Sequence, residues 1–174
     1  LGLTVGRLDQ MLIEFYERDI ANGTLTKEKA LELMDCFFLK LTEVCYAGSK
    51  VFNHFIGAYT SNQRLTLSGR KADGSDATNA VTYLCLESAA RLKLHDPTLS
   101  LCIHSETPKE LIKLGVETNK IVGGIPTFEN TDMIIDVLRK QGFSLEDARN
   151  FCIVGCVEIS GSGCDFANIS GPFS

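Results

Sequence analysis

The pattern of apolar and polar positions divides the chain into two unlike halves. In the first, Met11, Leu12, Phe15, Tyr16 and Ile20 recur at helical spacing with Glu14, Arg18 and Asp19 between them, which predicts an amphipathic helix over 8–21. Asn22-Gly23 ends it, as residues that tolerate positive φ do. Thr26 is an N-cap for a second helix, in which Met34, Phe37, Phe38, Leu41 and Cys45 fall at i, i+3, i+4, i+7 and i+11. Residues 47–77 show little periodicity, and Asp73-Gly74 marks a turn. A third helix is predicted over 78–94, with Val81, Leu84, Cys85, Ser88 and Leu92 on one face.

The second half alternates between short apolar runs and helical stretches. Leu99–Ile103 reads as a strand after Pro97. Thr107-Pro108-Lys109-Glu110 combines an N-cap, a proline at the first helical position and a capping-box glutamate, so a helix starts there. Gly123-Gly124-Ile125-Pro126-Thr127-Phe128 is a glycine-led extended segment, followed by a helix over 131–140 that Gly142 ends. Ser144-Leu145-Glu146-Asp147 caps a short helix, and Phe151–Val157 is an apolar run suited to a buried strand. Strands separated by helices imply an α/β fold with mostly parallel pairing.

Composition narrows the class. With 174 residues, 44% hydrophobic and 22% charged, the chain is neither disordered nor collagen-like and can enclose one core. The net charge is −5, and no basic run is longer than a pair such as Arg70-Lys71. A nucleic-acid partner would need a clustered positive face, so none is expected, and an anionic membrane surface is disfavoured for the same reason. No segment has the length of a membrane span and no signal peptide opens the chain. Seven cysteines, an odd number without a CxxC pair, fit a reducing cytoplasmic setting. The chain begins at Leu1 and stops at Gly171-Pro172-Phe173-Ser174, and is expected to be a piece of something longer.

The candidate chemistry lies in Gly155-Cys156-Val157-Glu158. On a continuous strand Cys156 and Glu158 point to one side, about 6.6 Å apart. A small substrate could then meet a sulfur at one carbon and a carboxylate at the neighbouring hydroxyl. Gly155 removes bulk beside the sulfur, and Gly161 and Gly163 give a flexible exit. A carboxylate at the end of an apolar run, if buried, needs a partner or a proton, which suits it to act as a base near neutral pH. The alternative is that Cys156 is a core thiol, as most cysteines are, and that Glu158 sits at a solvated strand end. Cys36, Cys45, Cys85, Cys102 and Cys152 are read as core, and Cys164 among glycines as exposed. Cys102 and His104 could share a strand face, but no second pair with metal-ligand spacing follows, which leaves structural zinc poorly supported. His104, after a strand and before a helix, holds a position where parallel sheets often place active-site residues, although a satisfied loop histidine is commoner.

The stretch Arg149-Asn150-Phe151-Cys152-Ile153-Val154-Gly155-Cys156-Val157-Glu158 resembles the cysteine loop of glycyl radical enzymes, the pyruvate formate-lyase-like family. Gly6-Arg7-Leu8-Asp9-Gln10, Asp73 through Asn79, Pro97-Thr98-Leu99-Ser100 with Ile103-His104, Gly124 through Phe128 and Ser144 through Arg149 resemble the family in the same order. The resemblance implies a portion of a ten-stranded α/β barrel with the cysteine loop threaded through its centre. It implies that residues 1–174 are a partial barrel domain, since the Arg-Val-x-Gly-type motif of the C-terminal glycyl radical domain is absent from them.

What the resemblance implies for function is an anaerobic lyase. Cys156, as a thiyl radical, would abstract a hydrogen atom from the substrate, and Glu158 would deprotonate the adjacent hydroxyl. No cofactor would be bound. The radical would be stored on a glycine outside this chain and installed by a radical-SAM activating enzyme. The other expected partners are a small-molecule substrate and, at full length, a second copy in a homodimer. Val157 after Cys156 departs from pyruvate formate-lyase itself, whose pattern has two adjacent cysteines. The glutamate two residues on points to the diol dehydratase, choline lyase and sulfonate lyase branches. Ile159-Ser160 stands where many dehydratase-like members have proline, so a decarboxylase or a fumarate-adding synthase is the second reading. A non-catalytic domain with buried structural cysteines is the third.

Overall fold

The structure, a computed structural model, describes residues 4–43, 50, 54 and 63–163. Its frame is a four-stranded, all-parallel sheet in the order β1 (Thr4–Gly6), β2 (Arg64–Ser68), β3 (Thr98–Ile103), β4 (Thr127–Asn130). Two helices, α1 (Leu8–Ala21) and α2 (Lys27–Glu43), lie between β1 and β2 in sequence. α3 (Ala80–Leu92) connects β2 to β3, and α4 (Lys109–Val122) connects β3 to β4. α5 (Thr131–Lys140) and α6 (Leu145–Arg149) follow, and then a hairpin of β5 (Phe151–Val154) and β6 (Glu158–Gly161). The α/β expectation with parallel pairing holds.

Side-chain alternation along the strands separates the sheet into two chemically distinct faces. Leu65, Leu67, Leu99 and Leu101 point to the helical side and pack with Leu8, Met34, Phe38, Val81, Cys85, Leu86 and Leu111. The opposite face carries Arg64, Thr66 and Ser68 from β2, Ser100 and Cys102 from β3, and Thr127 and Glu129 from β4. The hairpin, α5 and α6 cover the end of this polar face through a second apolar cluster of Cys102, Ile134, Ile135, Leu138, Ala148, Phe151 and Ile153.

Helix ends follow local chemistry. Thr26 accepts from the Lys29 N–H at 3.2 Å, as an N-cap should. Asn79 caps α3 by accepting from Val81 and Thr82, while the Thr82 hydroxyl accepts from the Asn79 N–H. Ser144 caps α6 by accepting from the Asp147 N–H at 3.0 Å. The expected capping box at Thr107 does not form. Pro108 occupies the cap position without a side-chain bond, and the Thr107 hydroxyl accepts from the His104 N–H at 2.9 Å instead.

Three expectations are corrected, whereas α1 forms over the predicted span; its stripe is partly uncovered, with Met11 58% and Phe15 54% exposed, while Leu8 is buried and Ile13 and Tyr16 pack against the core. Cys36 is exposed, since it lies on the side of α2 away from Met34, Phe38 and Leu41. The strand predicted over 151–157 stops at Val154, where Gly155 takes φ +56 and the chain turns back. Gly161 is a buried member of β6 paired with Phe151, so it is no flexible exit, whereas Gly163 lies in a turn at φ +79. Cys85, Cys102 and Cys152 are buried as expected, and Cys45 and Cys164 lie outside the described residues.

Candidate functional site

Gly155, Cys156 and Val157 form the three-residue tip of the β5–β6 hairpin. Gly155 is buried, whereas Cys156 and Val157 are exposed, so Cys156 is a tip thiol in this chain and not a core one. Glu158 is half-buried and opens the return strand opposite Val154. Its Oε2 accepts from the Val157 N–H at 3.0 Å. Cys156 and Glu158 are therefore brought together across a turn, not along one strand face. Glu158 is only partly buried, short of the full burial on which the strand argument relied.

The tip is tied to the polar face of the sheet by side chains that bond to its backbone. Thr66 Oγ1 accepts from the Ile153 N–H at 2.9 Å. Two residues earlier on β2, and so on the same face, Arg64 Nε donates to the Gly155 carbonyl at 2.9 Å. Arg64 Nη1 also donates to Thr127 Oγ1 at 3.1 Å and to Ser100 Oγ, and Thr127 donates to Glu129 Oε1 at 2.8 Å. Burial lowers the proton affinity of the Arg64 guanidinium, and the nearby Glu129 carboxylate opposes that effect. A guanidinium stays charged through such a shift, so the tip faces a fixed positive charge.

At the other end of the sheet a second polar network holds the chain that leads into the hairpin. Arg7 donates to the carbonyls of Arg149 at 3.0 Å, Ser68 at 2.8 Å and Arg70 at 2.9 Å. Asp9 is fully buried and accepts from the Ser68 N–H at 2.6 Å and the Thr82 hydroxyl at 2.7 Å. Burial raises the Asp9 carboxyl above its ordinary range, against the hydrogen bonds from Ser68, Thr82 and Gln10 and the charge of Arg7. Arg70 pairs with Asp132 at 2.7 Å and Glu106 at 2.6 Å, which holds both carboxyls below their usual range.

His104 is a satisfied loop histidine. Its Nε2 lies 3.0 Å from both the Gly69 carbonyl and Asp76 Oδ1, and its Nδ1 accepts from the Glu106 N–H. Cys102 packs among Ile134, Ile135 and Phe151, and burial pushes its thiol well up. Among the described residues no cluster of three metal-ligating side chains occurs.

Arg64, Thr66 and Glu129 lie outside the motifs singled out in the sequence, while Ser100 and Thr127 lie within them, and the strand that carries Arg64 and Thr66 has a signal of its own. Arg64-Leu65-Thr66-Leu67-Ser68 alternates strictly, which is the signature of a strand with one apolar and one polar face.

The class these observations define is an α/β fold on a parallel sheet, with a thiol at the tip of a hairpin held on the sheet's polar face. The chain belongs to the pyruvate formate lyase-like family, which it matches over residues 2–170. It is 33% identical over 168 residues to the 4-hydroxyphenylacetate decarboxylase glycyl radical subunit of Clostridium scatologenes, covering 94% of this chain and 18% of that protein. It is 34% identical to the (2S)-3-sulfopropanediol dehydratase of Klebsiella oxytoca, covering 95% of this chain and 20% of that one. It superposes on the B12-independent glycerol dehydratase of Clostridium butyricum with a TM-score of 0.86 and 35% identity, over 91% of this chain and 20% of that chain. The chain thus spans about a fifth of the length of these relatives, and it is a portion of an α/β barrel of the glycyl radical enzyme type. No helix among the described residues is long and apolar enough to cross a membrane.

Proposed function

We propose that this chain is the cysteine-loop portion of a cytoplasmic, anaerobic glycyl radical enzyme that acts as a carbon–heteroatom lyase. Residues 1–174 form part of its barrel domain, and the C-terminal glycyl radical domain lies outside them. The observation that supports this reading most is the exposed Cys156 at the hairpin tip, with Glu158 opening the next strand and Arg64 bound to the Gly155 carbonyl beside it.

A glycyl radical elsewhere in the full-length enzyme, installed by a radical-SAM activating enzyme, supplies the hydrogen-atom acceptor. Cys156 gives up the hydrogen atom of its S–H bond to become a thiyl. The thiyl takes a hydrogen atom from a substrate carbon, which restores the S–H bond and leaves the radical on carbon. Glu158 removes the proton of the hydroxyl on that carbon. The resulting ketyl radical anion expels the leaving group from the adjacent carbon as an anion. The product radical recovers a hydrogen atom from Cys156, so the net change is loss of HX from a substrate bearing a hydroxyl and a leaving group X. Closing the barrel around this tip excludes water and dioxygen from the radical.

Relatives at 32–36% identity include dehydratases, sulfite-lyases and a decarboxylase, so the leaving group is not assigned. Ile159-Ser160 after the glutamate is the observation that keeps a decarboxylase or fumarate-adding synthase as the second reading. The test is anaerobic turnover by the activated full-length enzyme of a panel of diols, choline, hydroxyproline, isethionate and arylacetates, with wild type and Glu158→Gln side by side. The lyase reading expects elimination from one hydroxyl-bearing substrate and a loss of about 10²–10⁴-fold in the variant, the range of a general base. Decarboxylation of an arylacetate, or elimination unaffected by the substitution, contradicts it.

A further inference from the structure

We infer that Arg64 is a positioning residue for the Cys156 thiol, fixing the height of the hairpin tip above the polar face of the sheet; this rests on the reading of Cys156 as the group that exchanges hydrogen with substrate. Arg64 is 4% exposed at the start of β2. A guanidinium buried to this degree needs its donors occupied. Two of its partners, Ser100 on β3 and Thr127 on β4, are hydroxyls of neighbouring strands, and they hold the planar group in one orientation. The third is the Gly155 carbonyl, the residue before Cys156. One side chain therefore couples three strands of the rigid sheet to the backbone that carries the thiol.

The geometry places this contact last in a series. Arg7 holds the Arg149 carbonyl, Thr66 holds the Ile153 N–H, and Arg64 holds the Gly155 carbonyl. Beyond Gly155 the Val157 N–H is bonded within the tip, to Glu158. Gly155 has φ +56, so the chain changes direction at the residue Arg64 grips. A lysine carries the same charge but lacks the fork that reaches a carbonyl and two hydroxyls at once.

The experiment uses activated full-length enzyme carrying Arg64→Ala, Arg64→Lys or Thr127→Val, with glycyl radical yield, kcat and KM measured on each. Arg64→Ala is expected to keep its radical yield and its KM within about threefold while kcat falls about 100-fold, the scale of a 1 Å misplacement. Arg64→Lys is expected to stay close to Arg64→Ala, and added ethylguanidinium to recover part of kcat in Arg64→Ala only. Thr127→Val retains the arginine and is expected to lower kcat severalfold, and it carries the test if the Arg64 variants do not fold. An unchanged kcat, a change confined to KM, or full recovery by lysine overturns the inference. A Cys156→Ala control separates the two readings: turnover without the thiol removes the proposed function, whereas a dead control beside fully active Arg64 variants removes only the role of Arg64.

Discussion

Thr66 and Ile153 are joined by a buried hydrogen bond of 2.9 Å, with the side chain of one strand serving the backbone of another. The N–H of a hairpin strand is thus paired without a continuous ladder between hairpin and sheet. The hairpin can cross the polar face because Thr66 and Arg64 supply bonds that a neighbouring strand would otherwise provide.

Replacing Thr66 with valine keeps the volume and removes the acceptor. The Ile153 N–H is then buried without a partner, which costs about 1–3 kcal/mol. The expected result is a lower thermal midpoint for the full-length enzyme, while Thr66→Ser, which keeps the hydroxyl, loses less.

Asp9 is the second prediction. Its carboxylate accepts from Ser68 and Thr82 and lies near Arg7, which is itself buried. Asp9→Ala leaves the buried Ser68 N–H without its acceptor, which costs about 1–3 kcal/mol. The chemical-denaturation midpoint of the full-length enzyme should fall accordingly, and the yield of folded protein with it.

A pH dependence follows from Arg70. The hydrogen bond and charge of Arg70 hold the Asp132 carboxyl below its ordinary value of 3.8, against a smaller burial penalty. A carboxyl depressed in the folded state adds stability above its unfolded value and loses it as pH falls through the folded value. Asp132→Asn should therefore lower the thermal midpoint slightly at neutral pH, with the difference closing below pH 3.8. The effect is small because Asp132 is 49% exposed and solvent screens the pair.

The elements legible from the sequence were those with strong periodicity or caps. α2, α4, α5 and α6 follow their spacing of apolar residues and their Thr, Pro and Ser start signals. The hairpin reads as one strand because Phe151 through Val157 is apolar throughout, and only the positive φ of Gly155 breaks it. Periodicity cannot distinguish a buried strand from two short ones joined by a compact turn. Cys156 and Glu158 stand out in the sequence through their spacing and the family resemblance, as candidates for the proposed chemistry. Arg64 does not, because its proposed role depends on β2, β3 and β4 being side by side, a tertiary fact that no local window contains. The apolar stripe of α1 is legible as a stripe, but a stripe does not state what covers it.

The most direct test of the central claim is the paired measurement of radical signal and turnover in activated full-length enzyme, wild type against Cys156→Ala. The account predicts a glycyl radical resonance of similar intensity in both samples and product from the wild type alone. Product formation by Cys156→Ala, with its radical signal intact, would contradict it.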